Sequence, residues 1–192
     1  MTELFTSHDA AFISAVNQGF LEIFGQQELD AFTHQESQKK ACDCQGRKYV
    51  TDLSQFLSEK YGREESEGLL ISVGCCAYRF LKSAFDNVLG FSTLEFRLLP
   101  TRRRMEEGAR HMVNNVLAPT GIQLQQHSDK KAIRWTLKDP QTCGEFPTTL
   151  VGGIFHELLT DISGGKTHPL TIGKPVNAGD HQIEIRVDSS AH

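Results

Sequence analysis

Apolar residues recur at helical spacing through most of the first 117 positions, and beyond Pro119 the period falls to two. Ser7 or Asp9 is placed to cap a first helix. Phe12, Val16, Phe20 and Ile23-Phe24 repeat along it, and Gly25 ends it. Gln26 to His34 reads as a second, shorter helix carrying Leu29 and Phe32. Residues 35–50 are polar, contain Cys42, Cys44 and Gly46, and read as a loop. A third helix starts at Thr51 or Asp52, with Leu53, Phe56 and Leu57 on its apolar face, and stops at Gly62.

Arg63 to Leu89 is the longest helical pattern. Its first turn holds Glu64, Glu65 and Glu67, which suit the positive end of the helix dipole. Its interior is apolar or small on most sides, from Leu69 through Cys75, Cys76 and Ala77 to Leu81, as in a helix buried on most sides. Gly90 ends the pattern, and Phe91 to Pro100 is mixed. A helix follows from about Thr101 to Leu117, and Pro119 to Gly121 punctuates the chain. Gly121 to His127 and Lys131 to Leu137 alternate like two strands around a Ser128-Asp129-Lys130 turn. Asp139-Pro140 breaks the second strand. Phe146-Pro147 opens an apolar helix that stops at Gly164-Gly165, and strands over His168–Lys174 and His181–Val187 flank Gly179-Asp180.

This order predicts an α+β fold: N-terminal helices packed on a C-terminal antiparallel sheet, with a long helix between two hairpins. Residues 1–192 are taken as a single domain, because the N-terminal helices carry apolar faces that need a partner. At this length a domain buries about 70% of the surface its unfolded chain exposes. A net charge of −4 argues against a general nucleic-acid binder. Arg102-Arg103-Arg104 is the only basic run and reads as a solvated helix start. No stretch approaches a membrane span, and the N-terminus does not read as a signal peptide. Five irregularly spaced cysteines do not suggest a disulfide framework, so a cytoplasmic location is expected.

Several short stretches together carry a family resemblance. They are Glu67-Gly68-Leu69-Leu70 leading to Gly74, Phe96-Arg97-Leu98-Leu99-Pro100, and Trp135 near a strand end. Gly152-Gly153-Ile154-Phe155, Leu158-Leu159, Ser163 to Lys166, Gly179-Asp180 and Ile183-Glu184-Ile185 complete the set. Over roughly residues 8–187 the chain resembles the 4-vinyl reductase (4VR), or hydrocarbon-binding, domain. The resemblance implies a fold related to heme-nitric-oxide-binding (H-NOX) domains and to small vesicle-tethering subunits. It also implies an apolar cavity between helices and a curved sheet, and often a homodimer. Many relatives bind zinc through cysteines near the C-terminal hairpin. Here Pro175 and Ile183 occupy those positions and only Cys143 remains near a third, so no zinc site is expected.

Other candidate groups have simpler readings beside them. Cys75-Cys76 lie in the most apolar segment. Core packing accounts for them, with a ligand-facing or redox thiol as the alternative. Cys42 and Cys44, with His34 as a possible third ligand, form half a metal site at most. His111 lies on a helix where the H-NOX domains it resembles use a histidine to hold heme. However, the Tyr-x-Ser-x-Arg element that grips heme propionates there is missing, since Thr136-Leu137-Lys138-Asp139-Pro140 follows Trp135. An exposed or helix-face histidine is therefore expected. His156-Glu157 lacks the second histidine of a zinc protease, Thr160 standing in its place. Gly164-Gly165-Lys166-Thr167 follows a helix rather than a strand, so it reads as a helix stop and not a phosphate loop.

The expected ligand lining is Val73, Cys76, Ala77 and Phe80, with Met112 and Val116, and Trp135 and Phe155 from the sheet side. The leading expectation is a cytoplasmic protein that holds a small apolar or amphipathic ligand as sensor or carrier without catalysis, and passes the signal to an unknown output partner. No cofactor or metal is predicted. The alternatives are an accessory protein or enzyme of tetrapyrrole metabolism, a heme-based gas sensor, and a structural tethering module.

Overall fold

A computed structural model describes residues 2–36, 45–117, 122–129, 132–138, 148–172 and 180–186. The chain forms two compact units, Met1–Ala84 with Gln141–Ile154, and Phe85–Pro140 with Phe155–His192.

The first unit holds α1 (Thr2–Phe24), α2 (Gln26–Glu36), α3 (Gln45–Tyr61), α4 (Arg63–Ala84) and the first half of α8 (Thr148–Ile162). Gly25 and Gly62, at φ 80° and 88°, end α1 and α3 in the left-handed region that favours glycine. Phe12, Val16 and Phe20 of α1, Leu53 and Leu57 of α3, and Leu70, Val73, Ala77 and Leu81 of α4 are all buried. Phe20, Phe32, Phe56 and Tyr49 form a linked ring cluster among α1, α2 and α3. Helix backbones touch at glycines. A β-carbon at Gly19 would lie 2.6 Å from the Val73 carbonyl oxygen and 2.7 Å from the Ala77 nitrogen. One at Gly74 would lie 2.1 Å from the Leu150 carbonyl oxygen, and one at Gly153 2.0 Å from that of Ile71.

The second unit holds α5 (Asp86–Leu89), α6 (Leu94–Leu98), α7 (Thr101–Met112), a π-helical turn (Val113–Leu117) and the second half of α8. It also holds β1 (Gln123–Ser128), β2 (Ala132–Lys138), β3 (Leu170–Ile172) and β4 (Asp180–Arg186). All pairings are antiparallel, in the order β1-β2-β4-β3. Strand β2 alternates as a half-buried strand should, with Ile133 and Trp135 buried and Arg134 exposed. Gly108 of α7 allows close packing, since its β-carbon would lie 3.0 Å from Ile162 and 3.8 Å from Leu158 of α8.

The α+β class and the helix-between-hairpins order match the sequence reading. Several boundaries do not. Helix α1 begins at Thr2, ahead of the expected caps Ser7 and Asp9. Residues 45–50, expected in a loop, form the first turns of α3. Gly46 is there for proximity, its β-carbon position being 3.0 Å from the Asp9 carboxylate, and Arg47 is buried despite its charge. The expected helix over 63–89 breaks at Phe85, whose φ of −115° and ψ of 17° leave the helical basin. Phe91 to Pro100 contains α6, whose N-terminus Thr93 caps by accepting the Phe96 N–H at 3.3 Å. His168 and Pro169 precede β3 rather than begin it. Pro119 to Gly121, Cys42, Cys44, Asp139-Pro140, Cys143, Pro175 and Gly179 lie outside the described residues.

Replacing Gly74 or Gly153 by alanine drives a methyl group into backbone, which cannot rotate aside. Each should cost at least about 3 kcal/mol in urea denaturation, the upper range of overpacking. Gly68 has nothing within 4 Å of its β-carbon position. Gly68→Ala should therefore stabilise by about 0.5–1 kcal/mol through helix propensity. A Gly74→Ala protein as stable as the parent would refute the backbone contact.

Candidate functional site

Helix α5 is only four residues long, so its last carbonyls have no donor within the helix. Gly90, at φ 67° and ψ 17°, turns the chain and bonds back to the Asp86 carbonyl. The two carbonyls before it are satisfied from α7 and its π turn. Asn115 Nδ2 donates to Val88 at 3.0 Å, and His111 Nδ1 donates to Leu89 at 2.7 Å. His111 and Asn115 are four residues apart, which puts them on one side of the helix.

A carbonyl oxygen only accepts, so His111 Nδ1 carries the hydrogen and the lone pair of the neutral ring sits on Nε2. Metal-ligating histidines commonly show this arrangement, the second nitrogen being tied to a carbonyl. The ring is half-buried and rests beside two buried phenyl rings. Phe91 lies 6.4 Å away and nearly parallel, and Phe96 lies 6.3 Å away. The two phenyl rings are 5.0 Å apart. Of the two expected readings, exposed or helix-face, His111 is a helix-face histidine and is half-buried rather than exposed. The imidazole is fixed in tautomer by a backbone acceptor and in position by aromatic packing.

The expected lining residues fall in both units. Met112, Val116, Trp135 and Phe155 belong to the second and are all buried. Trp135 and Phe155 meet at 5.9 Å, and the indole N–H donates to Gln126 on the neighbouring strand at 3.3 Å. Val73 and Ala77 belong to the first unit, where they take part in the close approach of α4 to Gly19 of α1. Phe80 is half-buried. Cys76, half-buried, interacts with Glu22 and Arg79, which form an ion pair with each other. Burial pushes its thiol above the usual range, with Glu22 adding and Arg79 opposing. Cys75 donates its thiol to the Gly153 carbonyl at 3.4 Å.

Sequence reasoning missed the Leu89 carbonyl, Phe91, Phe96 and Asn115. The available signal was Asn115, a polar residue one turn beyond His111 in a helix end otherwise rich in valine and leucine.

Another histidine of this unit, His168, follows α8. Gly164 and Gly165, at φ 78° and 87°, stop α8 as expected. The Ser163 hydroxyl lies 3.2 Å from the Thr160 carbonyl and 2.9 Å from that of Lys166, which holds the turn. Beyond it His168 Nε2 is buried with no hydrogen-bond partner among the described residues. Burial lowers its pKa below the ordinary 6.5, and the charges of Lys166 and His156 lower it further.

His111→Ala should strand the Leu89 carbonyl and lose the ring contacts, costing about 1–3 kcal/mol in chemical denaturation. Nitrogen NMR of the parent should show the Nδ1–H tautomer; an Nε2–H signal would refute the hydrogen bond. For His168 the folded pKa is the lower one, so the neutral ring is favoured in the fold. Above pH 6.5 the group contributes no pH dependence. As pH falls through 6.5 toward the folded value, the unfolded chain takes up the proton first and stability declines. His168→Gln should flatten that part of the acid limb. An unchanged slope in denaturation curves measured across this range would show that another group sets it.

Neither a protein-family model nor a curated protein matches the chain. Solved structures do. A doubly substituted Tt H-NOX aligns with a TM-score of 0.59 at 12% identity, over 93% of each chain. The Fe(II) unliganded H-NOX protein from K. algicida aligns at 0.57 and 9% identity, over 94% of this chain and 97% of its own. A structure reported on modulating heme redox potential through porphyrin distortion aligns at 0.58 and 13%, over 91% of this chain and 96% of its own. At these identities the likeness establishes the fold, which is H-NOX-like. The 4VR family itself finds no match.

Proposed function

We propose that the chain is a non-catalytic ligand-binding protein, a sensor or carrier, whose ligand is small and apolar or amphipathic. The observation that carries this reading is His111. It is one fixed polar group beside two phenyl rings, in a unit whose buried side chains include Met105, Met112, Val116, Trp135 and Phe155. Ligand sites are mostly apolar, with a few polar groups held in place. The H-NOX-like fold supports the same reading, since the aligned structures are heme proteins or H-NOX domains. Affinity would come from apolar burial, at about 25 cal/mol per Å².

A second reading, heme as the ligand, is favoured by the tautomer of His111. An Nδ1–H tied to the Leu89 carbonyl leaves the Nε2 lone pair to donate to a metal, were one bound. His111 is thus the residue that would hold the group. When bound, heme supplies an iron able to take a diatomic gas. The chain contains no Tyr-x-Ser-x-Arg element for the propionates, so carboxylate anchoring would have to come from other cations.

Native mass spectrometry of protein purified from cells grown with adequate heme supply tests both readings. A co-purifying small molecule, reduced at least about tenfold in His111→Ala, is expected from a lost fixed contact. If that molecule is heme, a Soret band shifts or disappears in the same variant. A protein that carries no ligand, and whose melting is unmoved by hemin, protoporphyrin or long-chain fatty acids, would overturn the proposal.

A further inference from the structure

The most exposed large apolar residues named in the second unit are Leu94 and Leu98, at 66% and 74% exposure. They lie four residues apart on α6, so they project from one side of the helix. Thr93 caps this helix, and the buried Phe96 anchors its other side. Val88 on α5, at 48%, is the next large apolar side chain exposed in this part of the chain. Exposure of this degree means that nothing among the described residues walls the two leucines in. They are protruding knobs rather than the floor of a groove.

The charges around them are mostly positive, the exposed Glu95 being the exception. Between residues 92 and 104 stand four arginines against one glutamate, in a chain whose net charge is −4. Arg102 is engaged with Glu106 at 3.4 Å and donates to the Asp129 carbonyl. Arg104 bonds to Thr101 at 3.2 Å. Arg97 and Arg103 are exposed and have no carboxylate partner among the described residues. Two exposed leucines and two exposed arginines without a carboxylate partner thus stand close together in the chain, on α6 and the start of α7.

We propose that α6 and the start of α7 form a docking surface for an anionic lipid bilayer, with Leu94 and Leu98 entering the interface and Arg97 and Arg103 lying against the headgroups. Three occupants compete for such a surface. A second copy in a two-fold dimer would bring the same positive rim against itself, which repels. A partner helix seeks a groove, and protruding leucines offer none. A bilayer takes protruding apolar side chains without needing a complementary shape, and its anionic headgroups match the arginines. This inference does not depend on what His111 binds.

Co-sedimentation with vesicles tests it. The full chain should partition onto phosphatidylcholine vesicles containing about one third phosphatidylglycerol, weakly onto pure phosphatidylcholine, and less at high salt. Leu94→Ser with Leu98→Ser should lower partitioning about tenfold, and so should Arg97→Gln with Arg103→Gln. These side chains are exposed, so both variants should melt as the parent does, and any loss is then one of binding. A parent that ignores anionic vesicles overturns the proposal, as do variants that bind like it. A parent that ignores vesicles but forms an oligomer broken by the leucine changes assigns the patch to a protein interface, which also overturns it.

Discussion

The carbonyl oxygens of Leu150 and Ile71 occupy the space where side chains would begin at Gly74 and Gly153. Helices α4 and α8 therefore meet backbone to backbone, and close-packed interiors leave no slack at such a point. The contact fixes the rotation of α4 about its own axis. One consequence is that the Cys75 thiol lies on the Gly153 carbonyl. Another is that Val73 and Ala77 turn to α1, where Gly19 receives them in the same manner. Cys76 comes next in the rotation and ends beside Glu22 and Arg79. The burial of α4 on several sides follows from these two approaches, each possible only where a side chain is missing.

This explains which parts of the fold were legible in the sequence. Strong apolar periods at Phe12 to Phe24, and alternation at Ile133 to Trp135, were readable because tertiary packing agrees with local pattern there. Gly164-Gly165 marked the end of α8 because left-handed backbone selects glycine. Gly46 misled for the opposite reason. It looks like a loop residue, yet it sits in a helix to let α1 approach, and the buried Arg47 beside it breaks the usual apolar signal. The break at Phe85 was hidden because Phe85 and Leu89 are both buried, so the apolar run continues across a change of direction.

The site was legible only as an apolar list. Met112, Val116, Trp135 and Phe155 are buried as such a list implies, but burial alone does not separate lining from core. The distinguishing feature at His111 is a hydrogen bond to the backbone of a four-residue helix that the sequence did not announce. A ring beside two phenylalanines and bonded through one nitrogen has its chemistry set by a main-chain carbonyl. No residue pattern encodes that carbonyl directly. It becomes visible only once Gly90 has turned the chain and left Leu89 without an internal partner.

The π turn over Val113–Leu117 carries one of the two side chains that bond to α5. Such a turn is an α-helix that has absorbed one additional residue. Everything before the insertion keeps its phase, so His111 stays on the side of α7 that faces α5. Everything after it is rotated, and Val116 and Leu117 are both buried. Asn115 reaches the Val88 carbonyl from within this wider turn, while His111 reaches that of Leu89 from the regular α-helix before it. The two latches on α5 are thus carried by different backbone, the histidine by an α-helix and the asparagine by a π turn.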